Sequence, residues 1–290
     1  MRILGVGIAT LDLIAQVDAY PVEDAEVRAL DLRRVRGGNA TNTLVALSQL
    51  GHGCAWAGTL ADEPDQRHIL DDLARHSIGT TTVKHFPACK TPTSLVLLSK
   101  DNGSRTIVHY RDLPEYPAEA FAQLDLTTYD WIHFEGRNVD QLAIMLRMFK
   151  ASGGSGCSLE IEKPRPGIEQ LFDLADTLLF SRHYARNRGF ASGPDFLHDV
   201  AAEYPETSLF CAWGDQGGWA LAEGRLHQGP VYKPERLVDT LGAGDVFNAG
   251  VIHGLVTGQG VTQALALACR LAGKKCGQWG FDGLVDGHES

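Results

Sequence analysis

The stretch Asp239 to Gly250, DTLGAGDVFNAG, sets three very small residues, Gly242, Ala243 and Gly244, directly before a carboxylate and an apolar run. Without side chains a ligand can approach the backbone, and N–H groups at the start of a helix point outward with no intrahelical acceptor. The three residues are therefore candidates for an anion cradle, with a phosphate as its guest. Asp245 would then stand where an alcohol meets that phosphate, able to accept the hydroxyl proton or to orient the nucleophile for in-line attack. A plain Gly-rich turn with Asp245 capping the next helix fits the same residues, so the motif alone does not choose.

A second stretch, RGGNATN from Arg36 to Asn42, pairs two glycines with two asparagines three positions apart. That spacing puts Asn39 and Asn42 near one helix face at its N-terminus, where amides can donate to and accept from sugar hydroxyls. The alternative is a Gly turn with an Asn capping a helix to Leu50. Asp12, just beyond the first apolar run, is a third polar group where a buried strand would otherwise continue, or else a turn residue at that strand's end.

These residues need elements to hold them. Short apolar or β-branched runs alternate with amphipathic segments, the pattern of helices on both faces of a mostly parallel sheet, hence a doubly wound α/β fold. Strands are expected at RILGVGI, CAWAG, DWIHFE, CSLEIE, DTLLFS and SLFCAW, and helices at ATNTLVALSQL, DQRHILDDLARHS, VDQLAIMLRMFK and GPDFLHDVAAEY. Two stretches break the alternation. SLVLLSKDNGSRTIVHY reads as two strands around a tight turn at Asp101-Asn102-Gly103, and LDLIAQVDAYPVEDAEVRALDLRRV as extended pieces joined by a turn at Pro21. Together they suggest a small separate sheet able to cover a site at the ends of the main strands.

Composition narrows the function classes. A chain of 290 residues with 44% hydrophobic and 21% charged residues can bury a large core, with disorder expected only in the tail DGHES. The net charge of −10 argues against nucleic acid or an anionic membrane as the main partner, so an anionic ligand must be held by local devices. The uncharged run from Val246 to Cys269 is cut by Asn248, His253 and TGQG into two core helices rather than a membrane span. Six cysteines without a CxxC pair, and a first strand without a cleavage site, lead to an expectation of reduced thiols in a cytoplasmic protein. GVGIAT lacks the third glycine of a dinucleotide fingerprint, and neither GxxxxGK[ST] nor HExxH occurs. His133 is expected as a hydrogen-bonded strand residue. Trp213, Trp219 and Trp279 either pack in the core or line a pocket for a base.

GGNATN and DTLGAGD, in this order and near the two ends of the chain, resemble the two signatures of the ribokinase, or PfkB, carbohydrate kinase family. The likeness continues through RTIV, WIHFEGRN, EIEKPR, CAW and AGKKCGQWGFDG, a set most similar to the ketohexokinase branch. The resemblance implies a ribokinase-like fold over the whole chain as one domain, with a β-sheet lid inserted from about 12–36 and 92–111 that also makes a homodimer contact. It implies a sugar and ATP as the small-molecule partners, the γ-phosphoryl passing to a sugar hydroxyl, with fructose to fructose 1-phosphate as the expected reaction. Mg2+ is the implied metal and K+ a further candidate. By the same resemblance Asp245 is the catalytic base, Gly242, Ala243 and Gly244 the anion hole, and Asp12, Gly38, Asn39 and Asn42 the sugar contacts. Nucleotide contacts carry over to Arg105 and to Gly214, Asp215, Gln216 and Gly217. A family kinase acting on ribose, a keto-deoxy sugar acid or a nucleoside stays open, as does a sugar-binding protein without catalysis.

The chain departs from the family pattern in two places. Many relatives carry an Asn-x-x-Glu element that places magnesium through water, whereas SRHYA here puts Ser181 and Tyr184 at those positions, so no metal ligand is assigned. Glu160 and Glu162 are candidates for contacts to metal-bound water, or for structural salt bridges. The nucleotide loop has Gly214-Asp215 where the ketohexokinase branch tends to carry an acidic pair, which leaves adenine specificity open.

Overall fold

The computed structural model describes residues 1–101, 104–154 and 156–285. Among them, the main sheet contains β1 (Arg2–Val6), β4 (Gly53–Ala57), β9 (Trp131–Glu135), β10 (Cys157–Ile161), β11 (Thr177–Ser181), β12 (Ser208–Ala212), β13 (Gly218–Ala222) and β14 (Arg225–Gln228). Their order is β14-β13-β12-β11-β10-β9-β1-β4. From β4 to β12 neighbours are parallel, and β13 and β14 extend the sheet antiparallel. The six expected strands are all present. The last two were not anticipated: they form a hairpin whose turn puts Glu223 and Gly224 at φ 51° and 69°, the positive values a tight hairpin needs.

Helices α1 (Asn39–Gln49), α2 (Gln66–Arg75), α3 (Ala118–Phe121), α4 (Val139–Ala151), α5 (Arg182–Asn187), α6 (Gly193–Glu203), α7 (Ala243–Val256) and α8 (Val261–Cys276) cover the sheet. Successive strand residues point to opposite faces, and the core accordingly divides in two. Leu4 and Val6 of β1 join Leu146, Phe149 and Phe196 of α4 and α6 on one side. Ile3 joins Leu44, Val246, Phe247 and Leu265 of α1, α7 and α8 on the other. Covered on both faces, β9 and β10 are buried along their whole length, so Glu135 and Glu160 at their ends have little water to solvate them. No helix among the described residues is long and apolar enough to cross a membrane.

A second sheet is made of β2 (Thr10–Val17), β3 (Asp31–Gly37), β7 (Thr93–Ser99) and β8 (Arg105–Tyr110), in the order β3-β2-β7-β8. It is the expected small separate sheet, called the lid below. A pair, β5 (Thr59–Ala61) and β6 (Lys84–Phe86), lies apart from both sheets. Between β7 and β8 the register is antiparallel, while Asn102 and Gly103 of the expected turn lie outside the described residues, as do Asp286 to Ser290 of the tail. The turn expected at Pro21 falls instead on Glu23-Asp24, where Ala25 N–H donates to Val22 O and Asp24 takes φ 65°. An aspartate tolerates that left-handed conformation, which the fixed ring of proline forbids.

Register aligns the lid's chemistry. Asp12 pairs with Ser94 and Ser94 with His109, a polar row across three strands. Strand β3 ties the lid to the body through three arginines. Arg33 stacks on Trp279 with 3.7 Å to the ring centroid, Arg34 pairs with Asp65, and Arg36 Nε lies 2.5 Å from Asp72 Oδ2.

Candidate active site

Two helix N-termini meet beneath the lid. Gly38 caps α1 with φ 107°, and a Cβ there would lie 2.3 Å from Ile8 O, so only glycine lets the chain turn this tightly off β3. No side chain caps α1, so the alternative of an asparagine cap is not realised. Both amides are used elsewhere. Arg36, with its side chain buried, donates to Asn42 Oδ1 at 2.6 Å, which leaves Asn42 Nδ2 to donate to Asp245 Oδ2 at 2.7 Å. Asn39 Nδ2 donates to Glu160 Oε1 and to Glu162 Oε2, each at 3.2 Å.

Gly242 caps α7 with φ 78°, and a Cβ on it would lie 2.3 Å from Phe281 Cζ. Gly244 differs: an added Cβ would meet nothing within 4 Å. Its backbone faces open space in the first turn of a helix, where N–H groups lack intrahelical acceptors and the helix dipole favours an anion. Asp245 is the third residue of α7 and makes no capping bond, which removes the plain-cap alternative.

A cavity of about 410 Å³ holds Asp12, Gly38, Asn39, Asn42, Asp245, Glu160 and Glu162 in its walls, with Ser94, His109 and Arg105 contributed by the lid. A second cavity of about 740 Å³ is walled by Gly214, Asp215, Gly217, Ala243 and Phe247. Arg105, Thr240, Ala212 and Gly244 border both. Arg105 donates to Thr240 Oγ1, so its guanidinium spans from the lid to a residue two positions before the glycine rim.

Some expected residues fall elsewhere. Gln216 is absent from the second cavity and lines a separate shallow pocket with Trp219 and Lys233, because the short 3-10 turn Gly214–Gln216 directs it outward. None of the three tryptophans lines the second cavity: Trp213 is buried in the core and Trp279 holds Arg33. Ser181 borders the first cavity but caps α5 by accepting from Tyr184 N–H, and the buried Tyr184 hydroxyl bonds Glu169 at 2.7 Å. His133 is the expected strand histidine, hydrogen-bonded to Ser158 Oγ at 2.9 Å.

Several residues escaped the sequence reading. Glu135 stands beside Glu160 in register across β9 and β10 and accepts from Ile8 N–H at 3.0 Å. Asn248, one turn after Asp245 on α7, donates to Glu160 Oε1 at 3.1 Å. The available signals were the matching strand-end glutamates in HFE and LEI and the i, i+3 spacing of Asp245 and Asn248.

Burial sets the protonation pattern. Asp245 is pushed up to about 7, chiefly by loss of water; the Asn42 hydrogen bond and Arg36 oppose this, and Glu162 and Glu135 add to it. Glu160 lies well above the ordinary carboxyl range, again from burial first and then from Asp245 and Glu135. Oε1 of Glu160 takes two amide donors while Oε2 has no hydrogen-bond partner among the described residues. Burial and mutual repulsion thus push both carboxyls upward, and bring Asp245 into the range where it ionises near neutrality. No group of three or more His, Cys, Asp or Glu among the described residues is arranged to hold a metal ion. A divalent ion carried on nucleotide phosphates needs only one or two carboxylates and water, and the partly exposed Glu162 at the cavity wall fits that requirement.

The chain is 39% identical to mouse (Mus musculus) ketohexokinase over 294 residues, covering 98% of this chain and 99% of that protein. It is 24% identical to ribokinase of Bacillus subtilis (strain 168), covering 96% and 94%. Among solved structures, Thermotoga maritima ribokinase superposes with a TM-score of 0.80 at 18% identity, covering 98% of this chain and 95% of that one. Arabidopsis thaliana ribokinase complexed with ribose and ATP superposes with a TM-score of 0.79 at 18% identity, covering 96% and 93%. The profile of the pfkB family carbohydrate kinases matches residues 2–282, and with the paired cavities and the glycine rim between them in place, the chain belongs to that family.

Proposed function

We propose that this ATP-dependent sugar kinase phosphorylates fructose at its first carbon, with Asp245 as the base and Gly242, Ala243 and Gly244 as the anion hole. The observation that carries the reading is Gly244, an open backbone rim on the border between two adjoining cavities, directly beside the buried acid Asp245 in the wall of the smaller one. The fructose assignment is supported by the 39% identity to mouse ketohexokinase over nearly both chains.

In this reading Asp12, Gly38, Asn39 and Asn42 bind the sugar hydroxyls in the smaller cavity. Asn42, oriented by Arg36, holds Asp245 toward the hydroxyl whose proton it removes. The N–H groups at the start of α7 stabilise charge on the transferring phosphoryl. Arg105, and the loop of Gly214, Asp215 and Gly217, hold the nucleotide in the larger cavity, and Arg105 closes the lid against Thr240. Glu162 would be the carboxylate available to the water shell of a magnesium ion carried on ATP, which would supply charge neutralisation to the phosphates. Closure of the lid excludes water that would otherwise compete as acceptor.

The lid is also the proposed homodimer contact. Leu32, Leu95, Val108 and Tyr110 are exposed on it, an apolar surface of the kind that marks protein interfaces. Six free cysteines support a reducing, cytoplasmic setting. The test is a panel of fructose, ribose, a keto-deoxy sugar acid and a nucleoside with an ADP-release readout. Fructose is expected to give the highest kcat/KM; a higher value for any other substrate overturns the assignment, and sugar binding without ADP release overturns catalysis.

A further inference from the structure

Lys275 near the end of α8 is a fully buried lysine, with 0% relative exposure. Lysine is almost never fully buried unless it is paired, so its surroundings need an account. Its ammonium donates to Asp239 Oδ2 at 2.8 Å and to Asp239 O at 3.1 Å, and sits 5.5 Å from the Phe281 ring centroid, within reach of a cation–π contact. Two hydrogen bonds to one residue, Asp239, and a ring contact with a second, Phe281, thus surround the buried charge.

Each partner leads to Gly242. Asp239 Oδ1 accepts from Leu241 N–H at 2.9 Å, and Asp239 N–H donates to Cys276 O at 3.3 Å. Every polar group of Asp239 is thereby tied, and the chain enters Gly242 without slack. Phe281 packs under Gly242 at the distance that excludes a Cβ, so the same ammonium steadies the ring on which the cap residue rests. One buried charge holds the rim from behind, by the approach loop and by the floor.

We propose that Lys275 is a positioning residue for phosphoryl transfer: by gripping Asp239 and Phe281 it sets the rim, whose Ala243 N–H donates to Thr240 O at 3.3 Å, in the conformation that directs the N–H groups of Gly242 and Gly244 at the transferring phosphoryl. The proposal rests on the reading of that rim as the anion hole. Lys275 lines neither cavity, so it acts through the loop and touches no substrate.

The experiment compares Asp239→Asn, Lys275→Met and the double variant Asp239→Asn/Lys275→Met with the wild-type full chain, using fructose and ATP. The double variant guards against unfolding, because it leaves no unpaired buried charge behind. Kinetics give kcat and both KM values, calorimetry gives fructose affinity, and thermal melting identifies the folded variants. Misaligned anion-hole donors should cost about 100-fold in kcat for Lys275→Met and for the double variant, the scale of losing one such donor, while fructose affinity stays within about twofold. Asp239→Asn, which keeps neutral acceptors for the ammonium, should lose about tenfold. A folded double variant turning over within about threefold of wild type overturns the proposal, as does a loss confined to fructose affinity. Failure of the wild-type enzyme to release ADP with any sugar would instead sink the anion-hole reading itself.

Discussion

Asn42 Nδ2 donates to Asp245 Oδ2 across 2.7 Å, joining two helix N-termini that lie 203 positions apart in the chain. The bond ties the start of α1 to the start of α7, and its orientation is fixed because Arg36 occupies the other end of the same amide. It also opposes the upward pull of burial on the acid, so that Asp245 can ionise at neutral pH.

Asp245→Asn should lower kcat by about 10²- to 10⁴-fold, the range for losing a general base. Fructose affinity should change little, since the amide keeps a hydrogen bond with Asn42. Steady-state ADP release and calorimetry on the same preparation check both parts, and near wild-type turnover would refute the base assignment.

The raised value of Asp245 has a kinetic and a thermodynamic consequence. Below about 7 the base is protonated, so kcat/KM for sugar should rise about tenfold per pH unit up to that point and then level off. In stability the sign is opposite to that of an ion-paired aspartate. The folded-state value exceeds the unfolded one, so the contribution is full below the ordinary aspartate range and is lost as pH rises through about 7. Asp245→Asn should therefore be more stable than wild type at pH 8, by up to about 4 kcal/mol at ~1.4 kcal/mol per pKa unit. Urea unfolding of both proteins at pH 5 and pH 8 measures the difference.

The two rim glycines should respond differently to alanine. Gly242→Ala forces φ 78° on a residue with a Cβ and drives it into Phe281, so a loss of about 2 kcal/mol or more is expected. Gly244→Ala meets nothing in the protein and sits in a helix, so it should leave stability equal or raise it by about 0.5–1 kcal/mol. Its methyl group points into the space between the cavities, and kcat should fall by at least about tenfold. Melting curves and turnover of the two variants make the contrast.

Arg105→Met should raise the KM for ATP by about tenfold and leave fructose affinity nearly unchanged if, as proposed, the guanidinium makes a charge-assisted contact to phosphate. Since the guanidinium is exposed, the wild-type KM for ATP should also climb with salt while that of the variant climbs less. A titration of NaCl at saturating fructose tests the pair.

Leu95 and Val108 face one another across β7 and β8, with relative exposures of 53% and 63%. Leu95→Asp or Val108→Glu should convert the proposed lid-mediated dimer to a monomer in light scattering. An unchanged mass for both would remove the lid from the interface.

Local rules made much of the architecture legible. The parallel strands, most of the helices and the two-part lid follow from apolar periodicity and turn chemistry, which act within ten or so residues. The antiparallel β13–β14 hairpin escaped because its strands are short and its turn, Glu223-Gly224, is not an Asn-Gly pair. The Pro21 turn moved for the reverse reason, a strong local signal giving way to an aspartate that takes positive φ.

The residue types at the site, small residues before an acid and asparagines three apart, were decided by the chain itself, because the backbone access and hydroxyl recognition they provide depend on which atoms are present. Their protonation and orientation were not. Glu135 and Glu160 are unremarked strand residues until parallel pairing sets them side by side away from water, and Lys275 is an ordinary helix lysine until α8 buries it against Asp239. Desolvation and through-space charge depend on what long-range packing brings within a few ångströms, and only the tertiary structure supplies that.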